Sequence, residues 1–340
     1  MKKVMVTGGT GYLGSWIVRY LLEGGYDVQL PVRDKSLKKR HKHLLEFAEN
    51  STGKLKLWFN KNILDEHAYD ESMDGCICVF HSASPFLLNS KNPEEELLNP
   101  ALKGTKNILD SVNRTKSITK VVLTSSVAAI YGDNVDMLEQ GLDKFNESHF
   151  NTSSSLSHQP YSFSKLMAEK AAWEIAERQN KWKLLVINPG FILGPILSKS
   201  SNSESINFMK DIINGKFYLG APQMILSCVD VRDAARAHIS VFENENSLGR
   251  HIVVNKSFKM LEIMNVVKKI YGRQFKLPNK ESAKWLTVLL GPIFGVSRKF
   301  VKRNVGYPVF LDNGKSKKSL GLKYTNIENT IDEMVKSILQ

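Results

Sequence analysis

The sequence predicts an α/β protein: a doubly wound parallel sheet followed by a smaller C-terminal α/β domain for substrate. Three observations lead there. Short apolar or β-branched runs alternate with helical stretches through the first half of the chain. The run CICVFH at 76–81 is continuously apolar up to its last residue, as suits a strand covered on both faces. The first such run leads straight into glycines and then a helix. In chain order, 3–7 reads as strand one and 13–22 as an apolar-periodic helix that Gly24-Gly25 ends. Strands two, three and four fall at 28–32, 55–59 and 76–81. A helix at 101–112, strand five at 120–125, a helix at 166–178 and strand six at 184–188 complete the alternation. Beyond Pro195 it fails. Residues 1–195, with 225–243 returning to the sheet, are expected to form the dinucleotide-binding domain; 196–224 and 244–340 form the substrate-binding domain.

Composition limits the partners. Of 340 residues, 42% are hydrophobic and 24% charged, which excludes a disordered or collagen-like chain. The net charge of +13 favours anionic partners such as a phosphorylated cofactor. No nucleic-acid motif accompanies it, so no nucleic-acid partner is expected. Cys76, Cys78 and Cys228 lack zinc-site spacing, and an odd count argues against a disulfide framework. No metal is expected, and the cysteine usage fits a reducing, cytoplasmic location. No run reaches the roughly 18 apolar residues of a spanning helix, so stable membrane insertion is not expected.

Gly8, Gly11 and Gly14 follow strand one and open the first helix. The chain must turn tightly there, its backbone must approach a pyrophosphate, and helix and strand must pack closely. The helix N-terminus adds N–H groups and a positive dipole end. This strand–loop–helix context marks a Rossmann-type dinucleotide site. At the end of strand two stands Arg33, where an acidic residue would bond the ribose hydroxyls of NAD and arginine suits a 2′-phosphate. NADPH/NADP is therefore the expected cofactor and NAD the lesser candidate, with Asp34 serving NAD if the strand ends one residue later. Lys38, Lys39 and Arg40 add positive charge.

Tyr161 and Lys165 lie four apart at the start of a helix, hence on one face. An ammonium beside a phenol favours the phenolate and lowers its pKa, which fits an acid–base pair. Ser126, at the end of strand five, can hold a carbonyl oxygen beside Tyr161.

With TGGTGYLG, HSASP at 81–85, LTSS at 123–126, YSFSK at 161–165 and NPGFILGP at 188–195 on the page, the chain resembles the extended short-chain dehydrogenase/reductases. It is most similar to the dihydroflavonol reductase, cinnamoyl-CoA reductase and yeast-type ketoaldehyde (methylglyoxal) reductase branch. The resemblance implies a triad of Ser126, Tyr161 and Lys165. It implies that Gly8, Gly11, Tyr12, Leu13 and Gly14 hold the pyrophosphate, and Arg33 and Arg40 the 2′-phosphate. Asn62 and Ile63 would flank the adenine, and Ala83, Ser84 and Pro85 would line the nicotinamide ribose. Pro189 and Ile192 would border the nicotinamide. Val127 and Phe191, each a departure from relatives, join Phe86 in an apolar pocket beside Ser126 and Tyr161. Such a pocket fits a compact aldehyde or ketone better than a flavonoid.

The expected function is thus NADPH-dependent carbonyl reduction with Tyr161 as proton donor, by a monomer or homodimer. Rivals are a sugar-nucleotide epimerase or dehydratase, a hydroxysteroid-type dehydrogenase, and a dinucleotide-sensing regulator without turnover. His81 is expected to fix its loop through a backbone hydrogen bond, and Asp230, Arg232 and Asp233 to form a structural ion-pair and helix start. The apolar stretch 285–296 is expected to cover substrate or a subunit contact in preference to a membrane surface.

Overall fold

The computed structural model describes residues 1–33, 41–83, 91–201 and 203–340. A seven-stranded sheet runs through its centre in the order β3-β2-β1-β4-β5-β6-β9. The strands are β1 (Lys3–Thr7), β2 (Asp27–Pro31), β3 (Lys54–Trp58), β4 (Cys78–His81), β5 (Lys120–Thr124), β6 (Lys183–Pro189) and β9 (Gly249–Val253). Every pairing among them is parallel.

Alternation along the strands divides the core into two layers. Val4, Val6, Val28, Leu30 and Phe80 face one cluster with Ile17 and Leu21 of α1 (Tyr12–Glu23) and Ala234 and Val241 of α8 (Val231–Glu243). Met5, Val79, Val121 and Val186 face the other, with Ile108 and Val112 of α4 (Asn99–Arg114) and Ala172 of α6 (Pro160–Glu177). The sheet is doubly wound, as the sequence predicts.

Two placements differ from the expected division of the chain. β9 lies in the stretch assigned to the smaller domain, yet it pairs with β6 at the edge of the main sheet. Its sequence, GRHIV, carries Arg250 and His251, both buried, so no apolar pattern announces it. β8 (Ile225–Asp230) does not return to the main sheet. It lies between β7 (Phe191–Leu193) and β10 (Lys256–Lys259) in a second, three-stranded sheet, while α8 after it packs against α1.

Asp230 caps α8 by accepting from the Arg232 N–H at 2.8 Å, and holds the Arg232 guanidinium with both oxygens. Thr330, on the C-terminal helix Ile327–Leu339, donates to Asp230 at 2.7 Å. This is the expected structural ion pair, and it ties the C-terminal helix to the start of α8. The segment Lys284–Leu290 is a helix with no buried residue, followed by a 3₁₀ turn at Gly291–Phe294. Trp285, Leu289 and Ile293 are 69%, 56% and 77% exposed.

Candidate active site

The strand order reverses between β1 and β4, which opens a crevice beyond their C-terminal ends. Register aligns Thr7 of β1 with His81 of β4, and His81 with Leu123 of β5. The chemistry-bearing residues cluster along this edge.

The glycine turn is packed too tightly for side chains. Gly8 has φ +71°, and a Cβ there would lie 2.7 Å from the Ala83 nitrogen. A Cβ on Gly14 would lie 2.1 Å from the Gly8 carbonyl oxygen, and one on Gly11 3.2 Å from the same atom. No side chain caps α1, whose N-cap is Gly11, so its first N–H groups face the crevice without a side-chain partner. A pyrophosphate fits this backbone cradle. Leu13 is buried in the core and Tyr12 donates to the Gly194 carbonyl at 2.6 Å. Those two residues therefore have only backbone to offer a phosphate. The Tyr12 hydroxyl instead pins the 189–195 turn against the glycine loop, as Trp16 does by donating to the Pro195 carbonyl at 3.0 Å.

Arg33 stands exposed just after β2, where Val32 accepts from the Lys61 N–H at 3.1 Å and brings the 61–63 segment alongside. Asn62 is exposed, and its side-chain oxygen accepts from the Leu64 N–H at 3.2 Å, which leaves one lone pair for a base. Ile63 packs on Gly104. Asp34, Lys38, Lys39, Arg40, Ser84, Pro85 and Phe86 lie outside the described residues.

Among the described residues, His81 fixes its loop through a side chain, where a backbone hydrogen bond was expected. Its Nδ1 meets the Thr7 hydroxyl at 2.8 Å, and that hydroxyl accepts from the Ala83 N–H at 3.1 Å. The loop is thus fixed through Thr7. Burial first, and the Lys165 charge second, lower the His81 pKa to about 3, so the imidazole is neutral at physiological pH.

Ser126 begins the 3₁₀ turn Val127–Ala129, and its oxygen accepts from the Ala128 N–H at 3.1 Å. That leaves its O–H to donate. Pro160 opens α6, so Tyr161 and Lys165 share its first two turns, and a hydrogen bond joins Tyr161 to Ser126. Burial raises the Tyr161 pKa, which the Ser126 contact opposes. Lys165 Nζ donates to the Thr124 carbonyl at 3.1 Å. Burial lowers its pKa to about 8, against the pull of Glu169. The expected balance is therefore reversed: the phenol stays protonated at neutral pH, and the lysine is the group brought near it. Desolvation of the hydroxyl outweighs the Ser126 hydrogen bond, and the Lys165 ammonium gives its own hydrogen bond to a carbonyl.

Val127, directly after Ser126, is buried among Ile130, Met137 and Phe145. Phe191 is half-buried and stands edge-on to Phe208, with ring centroids 5.3 Å apart. Pro189 ends β6, and Ile192 is the middle residue of β7, next to Phe191.

Sequence reasoning missed several residues around Ser126, Tyr161 and Lys165. Asn188 donates to the Ser126 carbonyl at 3.1 Å. His238 on α8 meets the Thr124 hydroxyl at 2.8 Å and the Ala234 carbonyl at 2.7 Å. Asp133 accepts from His158 at 2.8 Å, Gln159 at 2.6 Å and Asn304 at 2.6 Å, all around the N-terminus of α6. Gln159, with φ +56°, is the left-handed residue preceding that helix. Glu169 was legible only as the next member of the Tyr161–Lys165 face, four residues on.

The family described as NAD dependent epimerase/dehydratase matches residues 4–255. A cinnamoyl-CoA reductase of Medicago truncatula is 36% identical over 338 residues, covering 98% of this chain and 95% of that protein. A bifunctional dihydroflavonol 4-reductase/flavanone 4-reductase of Malus domestica is 30% identical over 306 residues, covering 90% and 85%. Among solved structures, yeast methylglyoxal/isovaleraldehyde reductase complexed with NADPH superposes with a TM-score of 0.80 at 29% identity, covering 99% of this chain and 98% of that one.

Proposed function

The chain belongs to the NAD dependent epimerase/dehydratase family, and from that premise we propose that it is an NADPH-dependent reductase of compact aldehydes or ketones. It is an oxidoreductase acting on C=O and CH–OH groups. The observation that carries this is the meeting of Ser126, Tyr161 and Lys165 at the C-terminal end of β5. One cavity edge joins Lys165 to the crevice by the glycine loop: Ala83, packed on Gly8, and Lys165 line the same small cavity.

NADPH, when bound, supplies a hydride for the carbonyl carbon. The backbone of Gly8, Gly11 and Gly14 and the first N–H groups of α1 hold its pyrophosphate, and Arg33 meets its 2′-phosphate. The Ser126 hydroxyl, polarised by the Ala128 N–H, donates to the substrate oxygen as negative charge grows there. Tyr161 is protonated at neutral pH and gives that oxygen its proton. Lys165 holds positive charge beside the phenol and restores the balance as the phenol gives up its proton. Phe191 supplies apolar wall for the substrate's arm. Following NADPH absorbance with a panel of aldehydes, ketones, hydroxyketones, steroids and nucleotide sugars tests the reading. NADPH consumption is expected with the small carbonyl compounds; no consumption with any of them, together with conversion of a nucleotide sugar seen by product analysis, would replace the reductase with an epimerase or dehydratase.

A further inference from the structure

Glu169 follows Lys165 by one helical turn and Tyr161 by two, so the three side chains share one face of α6. It is 1% exposed. A carboxylate taken from water needs partners, and Glu169 has four. The Ser125 hydroxyl and Asn188 Nδ2, the latter at 2.9 Å, donate to Oε2. Trp173 Nε1 donates to Oε1 at 3.3 Å. Arg250 Nε lies 2.6 Å from Oε1 but off the line of its N–H, so that contact is an ion pair without an aligned hydrogen bond.

Arg250 is itself locked in place. It donates to the Glu147 carbonyl at 2.9 Å and to the His149 carbonyl, and its guanidinium lies 4.1 Å from the Phe150 ring centroid. Asn188 uses the same amide nitrogen for Glu169 and for the Ser126 carbonyl. Glu169 and Lys165 also line one small cavity together with His81, Thr124 and Ser125. Docking a helix on a sheet does not call for this arrangement, because a buried ion pair generally gives no more stability than an apolar pair of similar size.

We propose that Glu169, backed by Arg250, is a positioning residue of this site: it holds the Ser125–Ser126 strand end through Ser125 and Asn188, and it supplies the negative charge that keeps the Lys165 ammonium protonated. This rests on the reductase reading of Ser126, Tyr161 and Lys165. Among the described residues, the groups facing Lys165 come from three elements. Tyr161 and Glu169 come from α6, the Thr124 carbonyl from β5, and the neutral His81 from β4. His238 of α8 lies behind Thr124, also neutral because burial lowers its pKa to about 4. Glu169 is the only carboxylate among them.

Glu169→Gln keeps size and shape and removes the charge. Two readouts are expected to move together. The alkaline limb of kcat should shift to lower pH by on the order of one unit. In NMR titrations of lysine-labelled protein without NADPH, assigned with Lys165→Met, the Lys165 ammonium should lose its proton at correspondingly lower pH. Glu169→Asp should return both towards wild type. A folded Glu169→Gln protein whose Lys165 titrates as in wild type would overturn the proposal, even if activity fell evenly at every pH. Should Glu169→Gln fail to fold, Arg250→Gln reads the same coupling with opposite sign: it frees the carboxylate from its other cation, so Lys165 should titrate at higher pH, and no shift would overturn the proposal. A wild-type protein inactive on the whole carbonyl panel would end the reductase reading, while the lysine titration would still decide the role of Glu169.

Discussion

Gly14→Ala is the sharpest test of the glycine cradle. The new Cβ would lie 2.1 Å from the Gly8 oxygen, 2.8 Å from the Gly8 carbonyl carbon and 2.8 Å from the Gly9 Cα. All three neighbours are backbone, so no flexible side chain can swing away. Ordinary contact begins near 3.4 Å, so α1 and the loop must separate by roughly 1 Å. Gly8 has no room to retreat towards β4, because its own Cβ position is 2.7 Å from the Ala83 nitrogen. Overpacking of this kind costs about 1–3 kcal/mol, here towards the upper end, and a few degrees in Tm. The larger effect falls on binding. Moving a phosphate cradle by ~1 Å is expected to weaken NADPH by about 100-fold. Gly141→Ala is the control: with φ +63° and nothing within 4 Å of its Cβ, it should cost about 1 kcal/mol of backbone strain and leave NADPH affinity unchanged. Fluorescence titration with NADPH and thermal unfolding of both variants provide the measurements. Wild-type NADPH affinity in Gly14→Ala would refute the assignment of the pyrophosphate to this loop.

Arg33→Ala should cost NADPH about 10-fold or more in affinity and leave NADH nearly unchanged, since one charge-assisted contact to the 2′-phosphate is lost; equal wild-type affinities for the two cofactors would remove Arg33 from the site. Tyr161→Phe should fold and bind NADPH normally while turnover falls on the order of 10²–10⁴-fold, and Ser126→Ala should cost less because Tyr161 still supplies the proton; single-turnover kinetics separate the two. Burial holds His81 to about 3 and His238 to about 4, below the ordinary 6.5. Their folded-state pKa values are depressed, so the unfolded chain takes up protons first. Their contribution to stability is full above about 6.5 and declines as pH falls, towards about 4 for His238 and about 3 for His81. Urea unfolding from pH 7 to 5 should show it, and a flat profile would mean that these imidazoles charge freely in the folded state.

The local devices of this fold are legible residue by residue. Period-two alternation in KVMVT and KVVLT sends Val4, Val6 and Val122 to one layer and Met5, Val121 and Leu123 to the other. Pro160 marks the first turn of α6, and four-residue spacing places Tyr161 and Lys165 together. The edge strand β9 was not legible, because Arg250 and His251 interrupt the apolar pattern, and Arg250 is tolerated there only by its tertiary partners. For Arg250 these are Glu169 and the carbonyls of Glu147 and His149.

The sequence by itself therefore determined the doubly wound sheet, the glycine turn and the Tyr161–Lys165 spacing, since each depends on spacings of a few residues that local geometry converts directly into position; bringing Ser126 to Tyr161 took the packed chain. The electrostatics of the triad were decided only by the tertiary structure. Whether a phenol or an ammonium is the group brought near neutrality depends on how much water each loses and which distant groups face it. For Lys165 those are the Thr124 carbonyl from β5, His81 from β4 and Glu169 held by Arg250 of β9. Desolvation and long-range charge pairing belong to the packed chain as a whole, and no local spacing encodes them.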